Sequence, residues 1–312
     1  LEADALELSV NGYVLNTRDM SLSLGFNYDT YDQQLTSFNM PAYLTSSGSG
    51  QTVFYMKNNT QYASFWGTKW ATGAAHLPAA DQASISQFAT NSDGYLVWVG
   101  DGNKVTEGIS KTLWGRTSTG LSQTYNWGRP IQFVDETGNS LHQIGTSVPD
   151  FGYSFNANFR FQGLSVYAMF DGQSGGNIYN HTRQWGAREA ATGDVDQYGK
   201  SEAEMKPTIY YRDLYHVNAA NDYYVEDASY MKLRELSVKY NVSSLVDLRS
   251  VGINGLQVGI VGRNLITWTD YQGYDPEVGY GGGTLGSAVN ARVDSYGYPN
   301  YRTFSFTLDV DF

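Results

Sequence analysis

From Met20 to Asp29 apolar and polar side chains alternate without an error: Met20, Leu22, Leu24, Phe26 and Tyr28 face one way, and Ser21, Ser23, Gly25, Asn27 and Asp29 the other. A period of two marks a β-strand with one apolar and one polar face. The pattern returns from Phe151 to Gln162, where Phe151, Tyr153, Phe155, Ala157, Phe159 and Phe161 alternate with Gly152, Ser154, Asn156, Asn158, Arg160 and Gln162. Further runs are Leu6, Leu8, Val10 and Val14; Leu164, Val166, Ala168 and Phe170; Leu256, Val258, Ile260, Ile266 and Trp268; and Phe304, Phe306, Leu308, Val310 and Phe312. A seventh, Met231 to Val242, changes phase between Leu233 and Leu236, which predicts a β-bulge near Arg234 and Glu235.

Most of these segments run to about nine to fourteen residues, whereas strands of soluble domains cluster near five or six and bilayer-crossing strands need about nine to eleven. Their connections alternate in length. Asn16–Asp19, Gln162-Gly163 and Ser243–Gly255, the last ending in the hairpin-favouring Asn254-Gly255, are tight; Asp32–Asp150, Gly172–Ala228 and Asp270–Tyr301 are long excursions. Short turns on one side and long loops on the other are the layout of outer-membrane barrels, with turns in the periplasm and loops outside. The fold class expected is therefore all-β, an antiparallel transmembrane β-barrel, with long surface loops at 32–150, 173–228 and 270–301.

On this layout the first and last strands run in the same direction, toward the turns. Antiparallel closure needs an even count, so the chain is expected to supply part of a longer barrel. A further pair of strands around Tyr62–Trp70 and Tyr95–Val99 would raise the count from seven to nine without changing that parity, and Asp81–Phe88 could form a short helix. The competing architecture is a soluble β-sandwich, which also alternates but with shorter strands at regular spacing.

Charge and composition narrow the partners. The 312-residue chain has 25 tyrosines, 34 glycines, no cysteine and a formal net charge of −11, with charged residues at only 16%. Scattered basic residues in an acidic chain make no stripe for a phosphate backbone, so nucleic acid is excluded as a general partner. Without cysteine there is no disulfide scaffold, zinc-thiolate site or thiol nucleophile. No run reaches the roughly 18 apolar residues of a spanning helix, and Leu1-Glu2-Ala3-Asp4 does not read as a signal peptide. The chain is either soluble or meets a membrane as strands.

Candidate chemistry is sparse. Gly172-Gln173-Ser174-Gly175-Gly176 and Ala74-Ala75-His76 are faintly like the serine and histidine segments of chymotrypsin-like proteases, but Gln173 stands where that family has Asp, and glycines ending a long strand serve a turn. Ser174 and His76 define the alternative function, a soluble β-rich glycan-binding or hydrolytic protein. His142, His181 and His216 form no paired ligand motif, and no cofactor or metal is expected. Asn91-Ser92-Asp93-Gly94 and Asp135-Glu136-Thr137-Gly138-Asn139 lack the ligand spacing of a calcium loop, and turn chemistry explains both. Gly281-Gly282-Gly283-Thr284 lacks the lysine of a phosphate loop. Tyr13, Tyr28, Tyr31, Trp268, Tyr271 and Tyr274 suit an interfacial girdle, while Trp66, Trp70, Trp98, Trp114 and Trp127 are candidates for stacking on a substrate's sugar rings or peptide groups.

Longer motifs carry a family resemblance. Tyr224–Tyr240, with Asp227-Ala228-Ser229-Tyr230-Met231-Lys232-Leu233-Arg234 at its centre, resembles the signature near the end of SusC/RagA-type TonB-linked outer-membrane transporters. Gly262-Arg263-Asn264-Leu265-Ile266-Thr267-Trp268, then Tyr271, Gly273, Tyr274 and Asp275-Pro276-Glu277, resembles the family's next strand and loop. Tyr298–Phe304 is similar to its last strand, and Ile144–Phe151 and Gly176–Asn180 fit upstream. Val134–Asn139 departs from the Asp-rich loop of many members.

The resemblance implies a barrel of about 22 strands, of which this chain would be the C-terminal seven to nine, with the plug domain and TonB box outside it. It also implies a transporter without bond-breaking chemistry that imports oligosaccharides or peptides across the bacterial outer membrane. The implied partners are a SusD-like surface lipoprotein, the TonB complex reached through an N-terminal region, outer-membrane lipid and lipopolysaccharide, and the barrel insertion machinery. Phe304, Phe306, Leu308, Val310 and Phe312 resemble the C-terminal assembly signal of outer-membrane proteins, in which an exposed strand edge pairs with the insertion machinery.

Overall fold

The computed structural model describes residues 1–46, 52–103, 115–201, 204–215, 220–278 and 292–312. Seven long strands form one antiparallel sheet: β1 (Glu2–Asn16), β2 (Met20–Leu35), β3 (Phe151–Phe161), β4 (Leu164–Ser174), β5 (Tyr230–Asn241), β6 (Gly255–Thr269) and β7 (Thr303–Asp311). They are adjacent in chain order, and a two-residue strand, Thr60–Gln61, pairs with the loop end of β2. Both β1 and β7 run toward the turn end, since Glu2 lies opposite Gln34 and Asp311 opposite Gly255. They occupy opposite edges of the sheet, and two strands of the same direction cannot close it as an antiparallel pair.

Cross-strand register turns the alternation of single strands into continuous rows. Val10, Phe26, Phe155, Phe170, Leu233 and Ile266 lie side by side. Four residues further along β3, Leu22, Phe159, Val166, Val238, Ile260 and Phe306 form another. Rows from Tyr153 to Phe161 cover about 26 Å of strand, or about 20 Å along a bilayer normal at the usual tilt. Phe155 and Phe170 stack with centroids 4.6 Å apart. No second sheet covers this face among the described residues: Phe26 is 42% exposed, Ile260 40% and Phe306 84%. A sandwich would bury these side chains in its core, so the soluble β-sandwich does not describe this molecule.

The opposite face is polar. Ser9 Oγ donates to Asn27 Oδ1 (2.7 Å) and Asn27 Nδ2 to Ser154 Oγ (2.9 Å), a ladder across three strands. Gly25 makes room for Asn11 and Asn156 on the same face, because a Cβ there would meet them at 2.4 and 2.6 Å. The expected bulge is present: Met169 faces Glu235 and Phe170 faces Leu233, which leaves Arg234 as the extra residue.

The long connections are folded. Tyr43–Ser46, Thr52–Met56, Ser64–Gly67 and His142–Thr146 make a four-stranded sheet, and Phe88–Thr90 pairs with Leu96–Trp98. The two segments proposed as an extra barrel pair thus contain strands, but these pair within the loops, and among the described residues the long-strand count stays at seven. The short helix expected at 81–88 is a turn of α-helix, Ala79–Gln82, followed by a 3-10 turn, Ile85–Gln87. One buried cluster draws Phe54, Phe65, Tyr95, Tyr179, Tyr210 and Val293 from all three loops. A second, including Leu77, Phe88, Trp98 and Trp127, belongs to the first loop alone. Loop residues therefore bury their apolar side chains against one another, as a soluble domain does.

Candidate functional site

The polar face of the sheet meets the folded loops at a charge cluster on β5. Lys232, 1% exposed, donates to Asp275 Oδ1 (2.6 Å) and Glu277 Oε2 (2.7 Å) of the third loop. The bulged Arg234 reaches Asp171 and makes a two-pronged contact with Glu277. Asn300 adds donors to both loop carboxylates, and Tyr230 donates to Glu277. Burial alone would raise the Glu277 carboxyl, but hydrogen bonds from Arg234 and Lys232 pull it down to about 2. A charged lysine taken out of water needs opposite charges to offset its lost hydration, and the Asp275-Pro276-Glu277 segment supplies them. The third loop is thereby clamped to the sheet.

Among the loops, Asn221 is the common anchor. Its Nδ2 donates to Leu214 O (2.7 Å), while its Oδ1 accepts from Trp70 Nε1 and from the Tyr223 amide. Next to it, Asp222 accepts from the Trp70 amide and from Tyr95 OH, and burial pushes its carboxyl up to about 6 against the lowering effect of those bonds. Arg183, on the helix His181–Arg188, is held by Asp194 at 2.7 and 2.8 Å and by Glu226 at 3.0 Å.

Two cavities open among these elements. One, about 910 Å³, lies between Arg183, Thr192, Tyr274, Tyr296 and Tyr298. The other, about 610 Å³, is bordered by Thr68, Trp70, Asn126, Gln132 and Arg212. On the sheet itself Arg160, Lys239, Arg263 and Glu235 line a smaller hollow of about 490 Å³ on the polar face.

The tryptophans proposed for stacking divide. Trp70, Trp98 and Trp127 are 8%, 6% and 6% exposed and help build the buried clusters. Trp98 donates to Gln87 Oε1 (3.1 Å), and Trp66 donates to Ser64 and packs edge-on against Tyr55. Trp70 also borders a cavity. Trp114 and His216 lie outside the described residues, as does the Gly281–Thr284 segment. Of the expected girdle, Tyr28 and Trp268 sit in one outward row at the loop end, but Tyr13 lies opposite Ser23 on the polar face. Tyr271 is buried and donates to Asp294. The five residues from Phe304 to Phe312 point outward from β7, which pairs with β6 on one side.

His76 Nδ1 accepts from the Thr72 amide and its ring rests on Phe133, while Ser174 ends β4 opposite Phe151. No hydrogen bond joins His76 and Ser174 among the described residues, and no cluster there could hold a metal ion. Asn91 and Asp135 use their carboxylate or amide oxygens on neighbouring amides of their own turns.

No family model matches the chain. TonB-dependent receptor P3 of Formosa agariphila is 32% identical over 170 residues, which is 54% of this chain and 17% of the receptor. By sequence, the chain is a homologue of TonB-dependent receptors. TonB-dependent receptor P26 of the same organism is 25% identical over 207 residues, or 58% of this chain and 19% of that one. The fold agrees with a solved RagAB peptide transporter at TM-score 0.58 and 16% identity, covering 99% of this chain and 29% of that chain. The RagAB peptide importer in its open-open state gives 0.58 and 17%, with 99% and 28% covered. The chain thus spans less than a fifth of these curated relatives and under a third of the solved chains. It is an outer-membrane protein by this homology, and its exposed apolar rows are the surface such a location requires.

Proposed function

We propose that this chain is the C-terminal part of the barrel of a TonB-dependent importer that moves oligosaccharides or peptides into the periplasm, working with a SusD-like surface lipoprotein. The observation that carries the reading is the two-faced sheet: an uncovered apolar face at bilayer height, a polar face lined by Asn27, Asn158 and Arg160, and folded loops at one end only. Loops with cavities of several hundred Å³ are suited to hold part of a solute before it enters. Energy would reach the barrel through a plug and the TonB complex, contacts that belong to the rest of the polypeptide. The barrel would be completed by strands pairing with the free edges of β1 and β7 to a total of about 22, and outer-membrane lipid and lipopolysaccharide would cover its apolar rows.

Uptake decides this reading. Cells lacking the protein should lose accumulation of a labelled peptide or oligosaccharide that wild-type cells take up, and cells without TonB should show the same loss. Unchanged uptake of every peptide and glycan supplied would overturn it. A surface lipoprotein should copurify with the detergent-solubilised protein. We further propose that the outward row of β7, Phe304 to Phe312, serves assembly: Phe312→Asp should lower the amount inserted, measured by heat-modifiable migration of outer-membrane fractions, and normal levels would remove that role.

A further inference from the structure

The cavity of about 610 Å³ beside Trp70 has a charge balance unlike that of the chain as a whole. Of its lining ions, Arg129 and Asp213 neutralise each other through two parallel bonds of 2.5 and 2.7 Å. Arg212, exposed on the helix Thr208–Leu214, has no ion-pair or hydrogen-bond partner among the described residues. Among the described lining residues one positive charge is therefore left unmatched, in a protein whose formal net charge is −11. Around it stand Thr68, Thr124, Asn126 and Gln132, whose side chains have no hydrogen-bond partner among the described residues. The indole of Trp70 forms part of the wall and is fixed in place because Nε1 donates to Asn221.

We propose that this cavity binds a carboxylate-bearing segment of the imported solute, with Arg212 receiving the carboxylate and the neutral amides and hydroxyls receiving the adjacent polar backbone. A guanidinium offers two parallel donors that match the two oxygens of a carboxylate. Asn, Gln and Thr supply both donors and acceptors, as amide or hydroxyl groups of a chain-like ligand require. The pairing of Arg129 with Asp213 keeps the cavity from accumulating two positive charges, so a single acidic group is favoured over a run of them. Acidic oligosaccharides and peptides with a free carboxylate share this chemistry. The inference rests on the importer reading only for its physiological meaning, because binding is measured without transport.

The test uses the full-length protein purified from outer membranes in detergent, titrated calorimetrically with four probes: a galacturonate tetramer, a neutral glucose tetramer, a tetrapeptide with a free C-terminus and the same peptide amidated. One or both acidic probes should bind at least about tenfold more tightly than their neutral counterparts, and Arg212→Gln should erase that preference. Gln132→Ala should weaken the same probe less, while Arg18→Gln, on the opposite turn, should leave it unchanged. The galacturonate and peptide arms separate the two sources of the carboxylate. Equal affinity for acidic and neutral probes, no binding of either acidic probe, or an Arg212→Gln variant with undiminished preference would overturn the proposal. A protein that transports but shows no such preference defeats this inference alone, and one that shows it without transporting defeats the importer reading alone.

Discussion

The sheet and the loops use the same residue types in opposite senses. On the sheet, Phe26, Phe155 and Ile260 face outward and polar side chains such as Asn27 and Ser154 face inward; in the loops, Phe54, Phe65 and Tyr210 are wholly buried and the polar residues are outside or tied into networks. The two regions solve different solvation problems. Strands in hydrocarbon must satisfy every backbone group by pairing and can leave apolar side chains to the lipid. Loops in water must hide theirs. The difference teaches that an exposed phenylalanine is evidence about the surrounding medium, and that its register neighbours decide which medium that is.

The largest effect should come where the regions join. Lys232→Met leaves Glu277 with Arg234 but takes from Asp275 the lysine it pairs with, and should cost about 3–5 kcal/mol, since breaking a buried ion pair strands the other charge. Hydrogen exchange at the Glu277 amide, which now donates to Asp275, should rise sharply, and unchanged protection would mean the clamp is idle. Next, Phe155→Arg on the outward face should cost about 2–4 kcal/mol in urea unfolding from lipid, while Ser23→Arg on the inward face of the adjacent strand should cost about 1 or less. Equal costs would erase the distinction between the faces.

Smaller still is a contrast in pH dependence. Asp222, pushed up to about 6 from an ordinary 3.8, contributes stability that is complete below about pH 4 and lost as pH rises through 6. Glu277, pulled down to about 2, contributes stability that is present above about pH 4.5 and lost as pH falls toward 2. Asp222→Asn should therefore stabilise the loops by about 2–3 kcal/mol at pH 7 and flatten their pH profile between 4 and 6. Limited proteolysis across that range checks it, and a profile like the wild type would assign the slope elsewhere. Least of all, Asp247→Asn in the exposed turn where Asp247 pairs with Arg249 should leave the unfolding midpoint unchanged.

Much of the sheet was legible because its information is local. A period of two fixes which side chains share a face, and the phase change between Leu233 and Leu236 places a bulge near Arg234 and Glu235, of which Arg234 is the extra residue. The loops were opaque for the opposite reason. Phe65, Tyr179 and Tyr210 share one cluster though they come from two loops far apart in sequence, and no periodicity announces such an assembly. The same distance hid the clamp: Lys232 reads as an inward strand residue, and only folding shows that the next loop supplies its carboxylates. The stacking role proposed for the tryptophans overlooked that a large ring is as useful in a core as against a ligand, which is where Trp98 and Trp127 lie. Arg212 gave no signal in sequence, because what distinguishes it is the absence of a partner among the described residues.

The single additional residue at Arg234 has a consequence for how densely function can be written on a strand. A regular ladder lets one side chain in two point inward, yet here Arg234 and Glu235 are both spent on polar contacts, one toward Asp171 and Glu277 and the other toward Arg263 on the neighbouring strand. Ironing the irregularity out would turn Lys232 toward hydrocarbon and Leu233 toward water. A local defect in the weave thus keeps the strand's upper half in phase with its lower half while giving one level of the wall two charged groups to deploy.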